Sequence, residues 1–311
     1  MDDRIVRIAD EVEKVIIGKR DVVEKVIMAV LADGHILLDD VPGVGKTTLA
    51  VALSKALGVK YHRVQFTPDV LPSDIVGFSV YNKESGDFIY MPGIVNDTNL
   101  LLADEINRTS SRTQAALLEA MEENQVTVDG KVYHLNKPFI VIATENQVGT
   151  AGTQLLPHAQ LDRFLVKLTI GYPDMESQKE IIRERQKKEV YSGVNAVTDP
   201  RGLMELQDET LNVTMKDEIV DMITALTFAS RQSELTELGI SPRGAVAVSH
   251  MAKACAMVRG RDYCIPEDVF EVFSDVCAHR ILPSREARAG QFTAEDVTAK
   301  LLGEVEKPYT V

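Results

Sequence analysis

The sequence predicts a layered α/β domain built on a central parallel sheet, followed by a smaller all-α domain. Three observations predict it. Short, wholly apolar runs alternate with helical patterns between residues 31 and 173, the rhythm of strands covered by helices on both faces. The stretch "LLDDVPGVGKTT" (Leu37–Thr48) sets a glycine-rich turn between one such run and a helical stripe. From Pro173 onward helical spacing takes over. A chain of 311 residues has room for about two domains of roughly 150 residues each, here 1–173 and 174–311.

The elements follow in chain order. "HILL" (His35–Leu38), "YHRVQF" (Tyr61–Phe66), "LLLA" (Leu100–Ala103), "FIVIA" (Phe139–Ala143) and "FLVKLTI" (Phe164–Ile170) read as strands. After Lys46, the positions Leu49, Leu53, Ala56 and Leu57 mark one helical face, with Gly58 as the stop. "RTQAALLEAMEE" (Arg112–Glu123) places Ala115, Leu118 and Met121 on one stripe. Two hairpins interrupt the rhythm, near 76–92 and 125–135. The first alternates Phe78/Val80 with Phe88/Tyr90. The second turns on Asp129-Gly130, where both central residues need positive φ. Such inserts project from a core and are candidates for partner contact. Helices are predicted at about 175–188, 215–231, 242–259 and 266–281. Thr214–Asp217 reads as a capping box and Ser241-Pro242 as a helix start.

Composition narrows the function classes. The net charge of −13 disfavours nucleic acid, which calls for a surplus of lysine and arginine. No apolar run approaches the roughly 20 residues of a membrane helix, so no membrane insertion is expected. The opening "MDDRIVRIAD" lacks the apolar block of a signal peptide, so the expected address is the cytoplasm. The three cysteines (Cys255, Cys264, Cys277) show no C-x-x-C spacing and read as small buried residues rather than a metal site.

The chemistry sits in the glycine-rich turn. It almost matches the phosphate-cradling pattern G-x-x-x-x-G-K-[ST], with Asp40 in the first glycine's place. Pro42, Gly43, Val44, Gly45, Lys46, Thr47 and Thr48 are the candidate nucleotide-binding residues. Gly43 and Gly45 open backbone paths that let N–H groups converge on phosphate. Lys46 supplies a charge for the β- and γ-phosphates, and the Thr47 hydroxyl can ligate Mg²⁺. Asp40 reads as a turn former, since aspartate tolerates turn conformations. A second motif ends another buried strand: in "LLLADE", Asp104 would hold Mg²⁺ through its water shell and Glu105 would polarise the attacking water.

Together with "QFTPDVLPSDIVG", "LLADEINRTSSRTQAALLEAMEENQVTVDG" and "LPHAQLDRFLVKLTIGYP", these motifs resemble the MoxR family of AAA+ ATPases. The likeness runs from "IIGKRDVV" through "ISPRGA" to "HRILPSREARAG", nearly the whole chain. It implies a P-loop AAA+ three-layer domain with a smaller helical lid. It also implies ATP and Mg²⁺ as cofactors and a homo-oligomer, expected as a hexameric ring. The family's work is chaperone-like maturation of client protein complexes, with partners that can carry a von Willebrand A domain.

The resemblance assigns roles to matching residues. Asn146 in "IATEN" would orient the attacking water, and Arg163 in "LDRF" resembles an arginine finger reaching a neighbouring subunit's nucleotide. Arg243 in "SPR" resembles the second sensor, touching phosphate from the lid, and the segment Ile16, Ile17 and Gly18 looks like the adenine contact. The two hairpins look like the helix-2 insert and the pre-sensor hairpin. By spacing alone Arg163 reads as a surface ion pair with Asp162, and Arg243 as a solvated arginine; the resemblance reverses both. The family usually has proline where this chain has Gln147, glutamine where it has Glu145 and glutamate where it has His158. With Asp40, these departures imply slow turnover. The rival readings are a nucleotide-binding switch or scaffold with little hydrolysis, and a DNA-associated ring motor.

Overall fold

The computed structural model describes residues 2–145, 156–184 and 191–305. Two helices, α1 (Asp3–Glu13) and α2 (Arg20–Leu31), precede the first strand β1 (Ile36–Asp39). There follow α3 (Lys46–Ala56), β2 (Tyr61–Gln65), α4 (Pro72–Val76), the hairpin β3 (Gly77–Tyr81) and β4 (Phe88–Pro92), and β5 (Leu100–Asp104). Next come α5 (Ser111–Glu123), the hairpin β6 (Gln125–Val128) and β7 (Lys131–His134), and β8 (Ile140–Glu145). The short α6 (His158–Leu161) and β9 (Val166–Leu168) complete the α/β layer. The rest is helical, with α7 (Met175–Glu184), α8 (Pro200–Leu211), α9 (Asp217–Gln232), α10 (Pro242–Val258), α11 (Pro266–Cys277), α12 (Arg285–Ala289) and α13 (Ala294–Glu304). A two-stranded ribbon of β10 (Thr236–Leu238) and β11 (Leu282–Pro283) sits among them.

The sheet has five strands in the order β2-β5-β8-β1-β9, every pair parallel. Its chain order reverses beside β1, the switch point outside whose carboxyl end open α/β sheets bind ligands. Alternate residues serve opposite faces, as the period of a strand requires. Leu37, Leu101, Val141 and Ala143 pack against Leu117, Leu118 and Met121 of α5. Ile36, Leu38, Leu102 and Ile142 join the other cluster, which holds Ile5, Met28, Leu53, Leu203, Met251 and Val272. A single core therefore crosses the boundary expected at 173/174, bridged by the N-terminal helices: α2 packs on α10 and α8.

Some local expectations change. The buried stripe of α5 is Gln114, Leu117, Leu118 and Met121, and Ala115 is exposed. Thr214 caps no helix: its backbone bridges Tyr263, and α9 begins at Asp217 behind Lys216. Ser241 caps α10 by accepting from the Gly244 N–H. Asp129 and Gly130 both take positive φ, 50° and 75°, at the hairpin turn. No helix among the described residues is long and apolar enough to cross a membrane.

Candidate functional site

The loop between β1 and α3 carries the first half of the site. Gly43 and Gly45 take φ of 89° and 106°, a region that residues with side chains rarely adopt. A Cβ on Gly43 would meet no atom within 4 Å, so the space over the loop is open. Thr47 stands half-buried in the first turn of α3, Thr48 is buried, and Pro42 lies exposed on the outer side of the loop. Lys46 is buried, and its Nζ donates to the carbonyl oxygens of Asp40 (2.6 Å) and Glu145 (3.0 Å). Burial pulls the Lys46 amine below its ordinary range, opposed by the charges of Asp40, Asp104, Asp39 and Glu105. The ammonium and the acids of two different strand tips thus share one electrostatic neighbourhood.

Asp40 corrects the turn-former reading. It has no positive φ. Its carboxylate accepts from three backbone amides, Val41 (2.8 Å), Ile170 (2.7 Å) and Gly171 (2.7 Å). It ties the phosphate loop to the segment that follows β9.

The second half comes from β5 and β8. Asp104 accepts from the Thr144 hydroxyl (2.6 Å) and pairs with Arg63 of β2 (2.6 Å). The same Thr144 oxygen accepts from the Glu105 N–H (2.8 Å), so one hydroxyl fixes both acids. Glu105 takes a left-handed backbone, φ 57°, a conformation that costs a non-glycine residue about 1–2 kcal/mol and recurs at functional sites. Its carboxylate pairs with Arg108 at 2.7 Å, partly exposed and therefore weak. Thr144 and Arg63 have no counterpart in the sequence reading: only their neighbours in the sheet give them meaning.

Beside the loop lies a recess of about 220 Å³, walled by Val15, Ile16 and Ile17, floored by Gly43, Gly45 and Thr48, and closed by Tyr172 and Pro173. Ile17 and Lys19 line it, but Gly18 does not. At φ 71° Gly18 turns the chain so closely over Ser177 that a Cβ would sit 2.0 Å from that hydroxyl. Gly18 thereby shapes the wall between Ile17 and Lys19.

The two arginines lie elsewhere. Arg163 Nε donates to Glu122 Oε2 (2.8 Å) and Arg243 Nη1 to Glu122 Oε1 (2.7 Å). Glu122 closes α5, whose Met121 carbonyl meets the His35 ring at 2.9 Å, at the amino end of β1. The Leu165 N–H, two residues beyond Arg163, donates to the His35 carbonyl (2.8 Å). The phosphate loop leaves the opposite end of the same strand. Four residues at about 3.3 Å each put roughly 13 Å of sheet between them. Arg243 therefore stands with Arg163, at the end of β1 away from the phosphate loop. Asn146 and Gln147 lie outside the described residues.

Comparison with known proteins agrees with this architecture. Residues 35–166 match the model of the ATPase family associated with various cellular activities (AAA), and 228–301 match the AAA lid domain. The chain is 42% identical to the uncharacterized protein YeaC of Bacillus subtilis, covering 96% of this chain and 93% of that one. A solved structure of a candidate ATPase from Cytophaga hutchinsonii superposes with a TM-score of 0.90 at 36% identity, covering 99% and 96% of the two chains. The chain is also 37% identical to Chaperone MoxR1 of Mycobacterium tuberculosis, over 96% of this chain and 81% of the relative. The chain belongs to the MoxR family of AAA+ ATPases.

In this MoxR-family chain, Glu145 is buried at the tip of β8, and Oε1 has no hydrogen-bond partner among the described residues. Burial, then the charge of Asp39, pushes its carboxyl up. His158 is exposed at the start of α6. No cluster of three or more His, Cys, Asp or Glu suited to a metal exists among the described residues. The oxygen donors Thr47 and Asp104 nevertheless suit Mg²⁺, which is held by one or two protein oxygens together with substrate phosphates.

Proposed function

We propose that this MoxR-family ATPase hydrolyses ATP with Mg²⁺ and uses the cycle to remodel or mature a partner protein complex. The observation that carries the reading is the separation of two half-sites at opposite ends of one sheet. At the carboxyl end Lys46, Thr47, Asp104 and Glu105 gather, with Thr144 fixing both acids. At the amino end Arg163 and Arg243 project as a pair. The arginines at the first half-site, Arg63 and Arg108, are taken up by Asp104 and Glu105, so the charge that develops on transfer calls for a further one. A neighbouring subunit's pair supplies it, which makes a closed ring, expected as a hexamer, the working unit.

Within a protomer the roles divide by chemistry. The loop amides and Lys46 hold the β- and γ-phosphates, and Thr47 with Asp104 would hold Mg²⁺, which screens phosphate charge when bound. Glu105 accepts a proton from the attacking water once it leaves Arg108. Asn146 is assigned to orienting that water by the family pattern. Ile16 and Ile17 face the base across from Tyr172. Slow turnover rests on Glu145, Gln147 and His158, because the Asp40 carboxylate is an anchor. A client complex, and a partner with a von Willebrand A domain, come from the family resemblance; the M. tuberculosis relative is named a chaperone. The exposed hairpin β3–β4 is the surface suited to that partner.

Steady-state ATPase assays on the wild type and Glu105→Gln test the reading. The wild type should exceed the variant by about 100-fold or more, the scale of a lost general base. Equal rates near background would leave a nucleotide-binding scaffold. Arg163→Ala should keep ATP affinity and lose turnover, and mixing it with Glu105→Gln subunits should restore activity.

A further inference from the structure

We propose that Glu122 is a positioning residue for hydrolysis, holding Arg163 and Arg243 as one two-pronged unit offered to the adjoining subunit's triphosphate. The inference rests on the reading that Arg163 acts on a neighbour. Glu122 divides its carboxylate: Oε2 takes Arg163 and Oε1 takes Arg243, at 2.8 and 2.7 Å. Without it, two guanidinium charges would face each other across the same recess and repel. With it they share one carboxylate, and each keeps N–H donors not committed to Glu122. Hydrogen bonding from Arg163, reinforced by the charge of Arg243, holds the Glu122 carboxyl below its usual range, so it is ionised at neutral pH.

The backbones behind both arginines are already fixed. Asp162, next to Arg163, accepts from the Ser241 hydroxyl (3.0 Å), and Ser241 caps the helix that carries Arg243. Asp162 also accepts from buried Arg280 (2.7 Å). That framework sets where the two side chains begin; Glu122 sets where both of them point. The recess they share holds about 250 Å³ and is also lined by Asn124, His250 and Arg280. It is smaller than the roughly 300–1,000 Å³ of pockets that enclose a whole ligand, as suits a site that another subunit completes.

The experiment uses the full chain with Glu122→Ala and Glu122→Asp. The three charged side chains are 30–44% exposed, and exposed pairs add little to stability. The thermal midpoint and the ATP dissociation constant should therefore stay at wild-type values. The kcat of Glu122→Ala should fall about 10- to 100-fold, the cost of a misplaced catalytic group. Glu122→Asp should recover part of the loss. The double variant with Arg163→Ala should be no slower than Arg163→Ala alone, as coupled residues require. Glu122→Ala subunits should regain activity when mixed with Glu105→Gln subunits and not when mixed with Arg163→Ala subunits. A wild-type kcat for Glu122→Ala, beside a crippled and rescuable Arg163→Ala, would overturn this inference and leave the parent reading intact. A fall in kcat tracking a fall in thermal midpoint in both Glu122 variants would make the residue structural and overturn it too. Failure of Glu105→Gln subunits to rescue Arg163→Ala would remove the parent reading itself.

Discussion

Asp40 shows what a single residue does here that its place in a motif does not say. The phosphate-loop pattern has glycine at that position, so Asp40→Gly restores the pattern. The structure argues that the restored loop is worse. The carboxylate is buried and satisfies three amides, two of them 130 and 131 residues away. Hydrogen bonds to a charged group contribute about 1.5–3 kcal/mol each, and a buried amide left unpaired costs about 1–3 kcal/mol. Asp40→Gly should therefore lower stability by about 3 kcal/mol. At roughly 2–4 °C per kcal/mol for a domain of this size, the midpoint should drop by about 6–12 °C in a thermal scan. ATP affinity should weaken with it, because the Asp40 carbonyl also holds Lys46. Asp40→Asn keeps one acceptor for Ile170 and Gly171 and should lose about half as much. A glycine variant as stable as the wild type would return Asp40 to a tolerated turn residue. The loop was legible because its pattern is local; the anchor was not, because its partners are remote in sequence.

At the scale of elements, strands and amphipathic helices were legible wherever one face alternates with another. Three strands of the sheet, β1, β5 and β8, appear where short apolar runs predict them, and β2 and β9 fall within the two further stretches read as strands. The helix α1 carried the same signal, with Ile5, Ile8, Ala9 and Val12 at helical spacing. The helix α8 carried a start as clear as that of α10, with Asp199 capping and Pro200 at the first position. The helix α2 carried little contrast, since eight of its twelve residues are buried. What no periodicity reveals is how elements are held at an angle, and there the strut is Arg280. It lies in the turn after α11 and is 5% exposed. It binds the Asp162 carboxylate and the carbonyls of Phe164 (2.6 Å) and Leu165 (3.1 Å), which lead into β9. The lid and the turn bearing Arg163 are thereby fixed together. Arg280→Ala should cost about 3–5 kcal/mol, the loss seen when one partner leaves a buried ion pair, read as a lower urea midpoint. Arg280→Lys should recover little, because a point charge cannot serve carboxylate and carbonyls as a planar fork does. Full recovery by lysine would reduce the strut to simple charge.

The whole molecule decides between partners. Its charge is −13, and the described arginines around the two half-sites are paired with acids. Arg63, Arg108, Arg163 and Arg243 each face an acid, respectively Asp104, Glu105, Glu122 and Glu122. The surface that projects is apolar instead: Phe78, Tyr81, Phe88, Ile89 and Met91 of the β3–β4 hairpin are all at least 46% exposed. That hairpin is braced on the second one by the stacked rings of Tyr90 and Tyr133, 3.8 Å apart. Exposed apolar surface of this extent on one element marks a protein-interaction site, whereas a DNA motor gains affinity by releasing counterions from phosphates it neutralises. Single- or double-stranded DNA should therefore leave the ATPase rate unchanged even at about 50 mM salt, where electrostatic binding is favoured. The decisive contrary result is stimulation that fades steeply as salt rises, with a log–log slope of about −0.9 for each phosphate engaged on duplex DNA. Such a slope would mean that assembly builds a basic channel which one protomer does not display, and the ring would then be a nucleic-acid motor.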